Sequence, residues 1–380
     1  MAGMVLPIIS SAARSPWFKA TCDLTTAYGD HEGRLTPVTF DRSIADEYRV
    51  LRTRVGIFDV PERPLEIRGQ GAAAFLDYVF TRPVSTMAVD RGRYGLMCHH
   101  GGGIACDGVI FHLAKDWFWY VHADRDVFTW LQALSLGHDV EIRDPGAWAI
   151  QIQGPTSLEI LDACVDGGAP EEFKYYHSRQ VTMGGQPVLI SRTGWTGELG
   201  FEVYNMDPNV DGMALWSHLI AAGASHGMEV LSTYSLNPRR IEAGILNYGT
   251  DMGWNTTPFD LGLGGFVDFD HEFVGRDALQ SAERSPRFTG FMTEARDIKW
   301  GSTVLAGGQP VGRVKAFELS PTLGTGIGYV LFDTPAAMSA NTFTVKGRDG
   351  NEHLLALHAL PFFDADKRIP RGLEVMEFKG

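Results

Sequence analysis

The sequence predicts an α+β protein, with mixed strands and helices over most of its length and a smaller all-β unit at the end. Three observations carry that expectation. Residues 60–140 interleave strand-like and helix-like runs, and residues 141–280 continue the mixture. From about residue 286 the chain breaks into short β-rich runs separated by glycine and proline. A chain of 380 residues, 44% hydrophobic and 21% charged, has room for two or three domains with full cores.

In order, RPLEIRG (63–69) sets Leu65 and Ile67 against charged neighbours, a strand pattern, and GAAAFLDYVF (71–80) follows as a helix. GVIFHLAKDWFWYVHAD (108–124) holds two β-rich runs around Lys115-Asp116, a hairpin signal, and DVFTWLQALSL (126–136) is helical. WAIQIQG (148–154) is a strand with Gln151 and Gln153 on one face. PTSLEILDACV (155–165) is a helix opened by proline. QPVLISRT and FEVY are strands, and DGMALWSHLIAAGASHG (211–227) is an amphipathic helix ending in glycine. RRIEAGILNYG (239–249) is a short helix running into a loop. The runs FTGFMT, STVLAGGQPVGRV, GIGYVLFD, TFTVKGRDG and LLALHALPFFD predict a small barrel or sandwich over residues 286–380.

Composition removes some function classes. A net charge of −13 without a basic run argues against nucleic-acid binding, which needs clustered Lys and Arg. No stretch approaches the roughly 20 apolar residues of a membrane span. The start, MAGMVLPIISSAARSPW, has no positive charge before its apolar run and is a poor secretory signal. Scattered Cys22, Cys98, Cys106 and Cys164 point to free thiols in a reducing compartment, so a cytoplasmic protein is expected. No oligomeric state is specified.

GQGAAA (69–74) matches a dinucleotide-binding pattern, with Asp90 at a ribose-like distance, but its preceding strand alternates with charges and favours a plain turn. Cys98, His99, His100 and Cys106 fit no zinc spacing and are expected to form a polar loop lining a pocket, with no metal. No GxSxG, HExxH, Walker or EF-hand motif occurs. In RYGLMCHHGGGIACDGVIF (93–111), Asp107 either closes a turn or displays a carboxylate at a hairpin mouth. SRTGWTGELGFEVY (191–204) spaces Gly194, Gly197 and Gly200 by three and sets Glu202 inside a strand, between Phe201 and Val203.

That last segment resembles the S-R-T-G-Y-T-G-E-x-G-F-E signature of the aminomethyltransferase (glycine cleavage T-protein) superfamily. RIEAGILNYGTDM (240–252) and FDLGLGGFVDFDHEFVGRDAL (259–279) resemble two further family segments, and IFDV, GGGIACDGVI and IQIQGPTS match in order. The resemblance implies a cloverleaf of two mixed α/β subdomains around a folate site plus a C-terminal β-barrel. The subdomains would be about 1–58 with 141–280, and 59–140, with the barrel at 286–380. It implies transfer of a one-carbon unit to N5 of tetrahydrofolate. By motif, Glu202 would bind the pterin ring, Tyr94 would stand beside the folate, and Asp107 would be the central catalytic carboxylate. Trp195, Arg240, Tyr248 and Arg276 also fall in the motifs as cofactor-binding candidates. Alternation sets Glu202 and Tyr204 opposite Phe201 and Val203, and the glycines would bring backbone close to a flat cofactor.

At IFDVPERPLEI (57–67), where T-proteins continue with Ser-His-Met, the chain is closer to dimethylsulfoniopropionate demethylases. Other segments resemble tetrahydrofolate-dependent O-demethylases. The expectation is therefore a demethylase taking a methyl group from a small donor, a methoxylated aromatic acid, to give 5-methyltetrahydrofolate. His99 and His100 would protonate the departing oxygen, and Trp17, Phe18 and Trp195 would wall the donor. Dimethylsulfoniopropionate demethylation, glycine cleavage aminomethyl transfer and non-catalytic folate binding stand as alternatives.

Overall fold

The computed structural model describes residues 12–124, 126–376 and 378, so most of the N-terminal apolar run lies outside the described residues. A short helix α1 (Phe18–Thr21) leads into an antiparallel hairpin of β1 (Thr25–His31) and β2 (Arg34–Phe40). Helix α2 (Ile44–Thr53) then delivers the chain to β3 (Val55–Val60).

The next unit is β4 (Arg63–Arg68), α3 (Ala72–Val79), β5 (Arg91–Cys98), β6 (Ile104–Ala114), β7 (Trp117–His122), α4 (Val127–Leu134) and β8 (Glu141–Arg143). Its five strands form one sheet in the order β5-β6-β7-β4-β8. Leu65 and Ile67 on β4 face a core with Phe75, Leu76 and Val79 of α3. Glu66, on the opposite face, is buried too, and it accepts hydrogen bonds from Trp117 Nε1 at 2.7 Å and Trp119 Nε1 at 3.3 Å. Because β4 pairs antiparallel with β7 and β8, GQGAAA follows an antiparallel strand and no βαβ crossover. Gly69 sits at φ 129° with its α-carbon against the Asp139 carbonyl, a place where a side chain would collide.

The chain returns through β9 (Ala149–Gln153), α5 (Ser157–Cys164), β10 (Ser178–Met183), β11 (Gln186–Ser191), β12 (Gly200–Asn205), α6 (Gly212–Gly223) and β13 (Met228–Val230). With β3 these make a six-stranded sheet, β10-β11-β12-β9-β3-β13, antiparallel except where β13 meets β3. Ile150, Ile152, Phe201 and Val203 pack one face of it against α5 and α6. Phe58, Tyr204, Phe111 and Trp119 join the two sheets in a separate core. Trp17 belongs to the first of these cores: it is fully buried, donates to Asp59 Oδ1 at 2.8 Å and stacks near Trp216. Phe18 stacks on Tyr28, so neither aromatic walls a donor site, which corrects that expectation.

Helix α7 (Leu236–Glu242) begins three residues before the expected start, with Pro238 in its first turn where no intrahelical N–H is needed. After α8 (Arg276–Gln280), strands β14 (Phe288–Thr293), β15 (Thr303–Ala306), β16 (Gln309–Ser320), β17 (Thr325–Phe332), β18 (Phe343–Lys346) and β19 (Glu352–His358) close a barrel in the order β14-β17-β16-β15-β18-β19. Of the barrel and the sandwich that the spacing allowed, the chain forms the barrel. All four cysteines are free thiols, and no helix among the described residues is long and apolar enough to cross a membrane.

A buried ion network ties these parts together. Glu198 lies 4% exposed between Arg52 of α2 and Arg239 of α7, with Arg239 Nε at 2.6 Å. Glu242 of α7 in turn accepts from Tyr48 of α2 at 2.6 Å and Ser320 of the barrel at 2.5 Å.

Candidate functional site

A cavity of about 1250 Å³ opens where the two sheets and the barrel meet. Strands supply its reactive side chains: Tyr94 from β5, Asp107 from β6, His122 from β7, Glu202 and Tyr204 from β12, and Lys315 and Glu318 from β16. Side chains placed on paired strands keep their direction without paying for loop ordering.

Glu202 is set in the middle of the six-stranded sheet, its backbone paired on both sides, opposite Ser191 on β11 and Gln151 on β9. Those register partners also hold its carboxylate. Gln151 Nε2 donates at 2.9 Å, Ser191 Oγ at 3.3 Å and Tyr204 OH at 2.8 Å, with Thr193 Oγ1 completing the set. Three hydroxyls share Oε2, whereas Oε1 accepts from Gln151 alone and keeps a free lone pair. Burial raises this carboxyl above its ordinary range, and the hydrogen bonds pull it partly back.

Gln151 donates in the same way to Glu62 Oε1, at 2.7 Å, so one amide bridges two carboxylates. Burial, then the charge of Glu202, raises Glu62. The sequence reading missed Glu62, although Pro61-Glu62-Arg63 is where the chain departs from Ser-His-Met.

Asp107 Oδ2 accepts from Tyr94 OH at 2.8 Å, and burial pushes the carboxyl up to about 7. Of the two roles open to Asp107, the structure favours the displayed carboxylate, because the side chain lines the cavity and closes no turn. Tyr94 packs edge-on against Phe266, at 5.2 Å between ring centres. Trp195 and Tyr248 line the cavity as well. Arg240 lies over the Trp195 ring at 5.2 Å, but its charge is taken up by Asp251, and it donates to Asn237 Oδ1 at 2.6 Å.

Other expected residues lie elsewhere. Arg276 is outside the cavity lining and donates to the Phe269 carbonyl at 2.9 Å, fastening the turn before α8. His99 stacks on Trp254 at 4.2 Å with Nε2 at 2.9 Å from its carbonyl, and His100 is exposed on the same turn. Neither histidine reaches the cavity, so the turn is not a pocket wall and supplies no acid. Among the described residues, no group of three or more His, Cys, Asp or Glu is placed to hold a metal ion. Two glycines of the 191–204 segment serve Gln153: a side chain at Gly194 or Gly200 would meet its amide at 2.2 Å or 2.4 Å, whereas one at Gly197 would meet Ala243. Gly194 and Gly200 make room for a buried clamp that donates to the Thr193 carbonyl at 3.1 Å, and Gly194 also lines the cavity.

The GCVT N-terminal domain family matches residues 17–271, and the glycine cleavage T-protein C-terminal barrel domain family matches residues 287–364. An aminomethyltransferase of Streptomyces avermitilis is 34% identical over 337 residues, covering 85% of this chain and 90% of that protein. One from Streptomyces coelicolor is 35% identical over 339 residues (85% and 90%), and one from Alkaliphilus oremlandii is 32% identical over 347 residues (88% and 93%). The crystal structure of glycine cleavage system aminomethyltransferase T from Bartonella henselae has the same fold, with a TM-score of 0.83, 24% identity, and coverage of 93% of this chain and 98% of that one. These relatives overturn the expected O-demethylation of a methoxylated aromatic acid: they are aminomethyltransferases, which was an alternative reading. The position of His99 and His100 removes the acid that the ether reading needed.

Proposed function

This chain belongs to the glycine cleavage T-protein (aminomethyltransferase) family, and from that premise we propose that it transfers an aminomethyl-type one-carbon unit to tetrahydrofolate. Tetrahydrofolate is the acceptor in this family. Bound in the cavity, it supplies the nucleophilic ring amine N5.

The observation that carries this reading is Glu202, fixed by four hydrogen bonds on a central strand and lining an aromatic-walled cavity. A pterin edge carries a ring N–H and an amino group, and a rigid carboxylate accepts from such donors. Tyr94, Trp195, Tyr248 and Phe266 supply flat apolar walls that exclude water from the reacting atoms. Asp107, aimed by Tyr94, stabilises positive charge that develops as the one-carbon unit leaves its donor. Arg240 acts through Trp195 and Asp251 as a positioning residue.

The test mixes purified protein with tetrahydrofolate and an aminomethyl donor, carried on a lipoyl protein or as a free small amine, and follows one-carbon-loaded folate. Product that appears only with the protein and folate together supports the reading. Folate binding without turnover from either donor type overturns it.

Asp107→Asn has two expected effects. The rate of transfer should drop by about 100-fold or more, and the wild-type rise of rate with pH through about 7 should vanish. Stability should move the other way. Between the ordinary carboxylate value and about 7, the folded chain keeps a proton that the unfolded chain has released. That group's contribution therefore falls as pH rises through the window, and the asparagine avoids the loss. At pH 8 the variant should gain about 1–3 kcal/mol in urea unfolding. A midpoint at or below wild type would contradict the buried-carboxylate account.

A further inference from the structure

One lobe of the cavity has no task in the reading above. It is lined by His31 and Thr36 of the hairpin, Glu62 after β3, and His122 and Asp124 at the end of β7. Three polar atoms in it are sealed from solvent and have no hydrogen-bond partner: Thr36 Oγ1, Glu62 Oε2 and His122 Nε2. Thr36 is 1% exposed and His122 4%.

The topology brings the three together. Arg63 pairs with His122 across β4 and β7, so Glu62 abuts the His122–Asp124 end of β7. Arg34 Nη1 donates to the Glu62 carbonyl at 3.1 Å, which docks β2 here, and Thr36 lies two residues on, on the same strand face. Arg34 itself is spent on that carbonyl and on the Trp148 ring, at 4.1 Å. Arg63 pairs with Asp144 at 2.5 Å. Neither cation lines the lobe.

All three free atoms are able to accept when Glu62 is ionised; burial and Glu202 favour its protonated form, and a bound cation favours the charged one. His122 Nδ1 is 3.2 Å from the Asp124 carbonyl, which only accepts, so Nδ1 carries the proton and Nε2 presents a lone pair. Burial lowers His122 to about 4, which keeps the ring neutral. Glu62 Oε1 already takes the Gln151 N–H, leaving Oε2. Three buried acceptors without donors are costly, at about 1–3 kcal/mol each, and a group with three N–H donors and a positive charge answers all of them. The charge also relieves the mutual repulsion of Glu62 and Glu202.

We infer that this lobe is a subsite for the primary ammonium group of the one-carbon donor, with Glu62, His122 and Thr36 as its acceptors. The inference rests on the aminomethyl reading and sharpens it to a donor amine that keeps its N–H groups. A fully alkylated cation brings charge without donors and leaves the orphaned atoms unpaired.

The probes are methylammonium and tetramethylammonium, titrated by calorimetry into the full-length protein. Wild type should bind methylammonium at least about tenfold more tightly than tetramethylammonium, the value of one or two lost hydrogen bonds. Glu62→Gln should weaken methylammonium about tenfold or more, Thr36→Val about threefold or more, each shifting tetrahydrofolate affinity by less than about threefold. Equal binding of the two cations overturns the inference, as does unchanged methylammonium binding in Glu62→Gln. Loss of folate affinity in that variant with ammonium binding intact also overturns it, by assigning Glu62 to the pterin edge. If methylammonium binds as described but no amine donor feeds folate, the subsite stands and the proposed reaction falls. If transfer proceeds equally well in Glu62→Gln, the reaction stands and the subsite falls.

Discussion

Glu202→Ala is expected to weaken tetrahydrofolate binding by about 100- to 1000-fold, the largest loss from any single change at the site. Hydrogen bonds to a charged group contribute about 1.5–3 kcal/mol each, and two near the lower end, about 3–4 kcal/mol together, convert to that range at about 1.4 kcal/mol per tenfold. The alanine also orphans the donors of Gln151, Ser191, Thr193 and Tyr204, so some stability is lost with the affinity. Glu202→Gln separates the two effects. It keeps the shape and one acceptor oxygen while replacing the other with an N–H₂ that repels a pterin donor. Calorimetric or fluorescence titration with folate decides the matter, and affinity within threefold of wild type in both variants would remove Glu202 from the pterin site.

Glu198→Ala, four residues earlier in the same segment, should do something different: lower global stability by about 3–5 kcal/mol. It leaves the guanidinium groups of Arg52 and Arg239 buried without their shared carboxylate. Arg239 retains Glu242 at 3.7 Å, and Arg52 already has two nitrogens, Nε and Nη2, without partners. Urea unfolding, followed by far-UV circular dichroism, reads the change. A loss below about 1 kcal/mol would mean that water or rotation of the arginines meets the demand. The two glutamates look alike in sequence, but one ties helices α2 and α7 together and the other lines the cavity.

Much of the architecture was legible because the periodicities were strong. Leu65 and Ile67 against α3, the β6–β7 hairpin around Lys115-Asp116, and all the runs after residue 286 became elements where their patterns placed them. The β1–β2 hairpin was not legible, because its first strand is largely exposed and its residues, TTAYGDH, carry little apolar alternation. At the site, alternation placed Glu202 on the cavity side of β12 because the strand is regular. Glu62 was hidden for the opposite reason. Beside Arg63 it looks like a solvated charge, and only Gln151 and Glu202, from strands far along the chain, give it a half-buried setting at the cavity. The same gap in tertiary knowledge misplaced His99 and Arg276, which meet backbone carbonyls that no motif announces, and His100, which is exposed. Trp17 was misread as a pocket wall because its Asp59 partner lies 42 residues away.

Strands β3 and β9 lie side by side, Gly56 opposite Gln153, yet the whole five-stranded unit is threaded between them in the chain. The pairing closes a very long loop, and an unfolded loop of that length makes the first contact entropically expensive. If the inserted unit condenses first, its ends are already near each other and the expense is much reduced. The order of folding events is then built into the connectivity: the insert matures early, and the sheet that carries Glu202 is sealed last. Nascent chains would display both flanks of β3 until β9, and later β13, arrive.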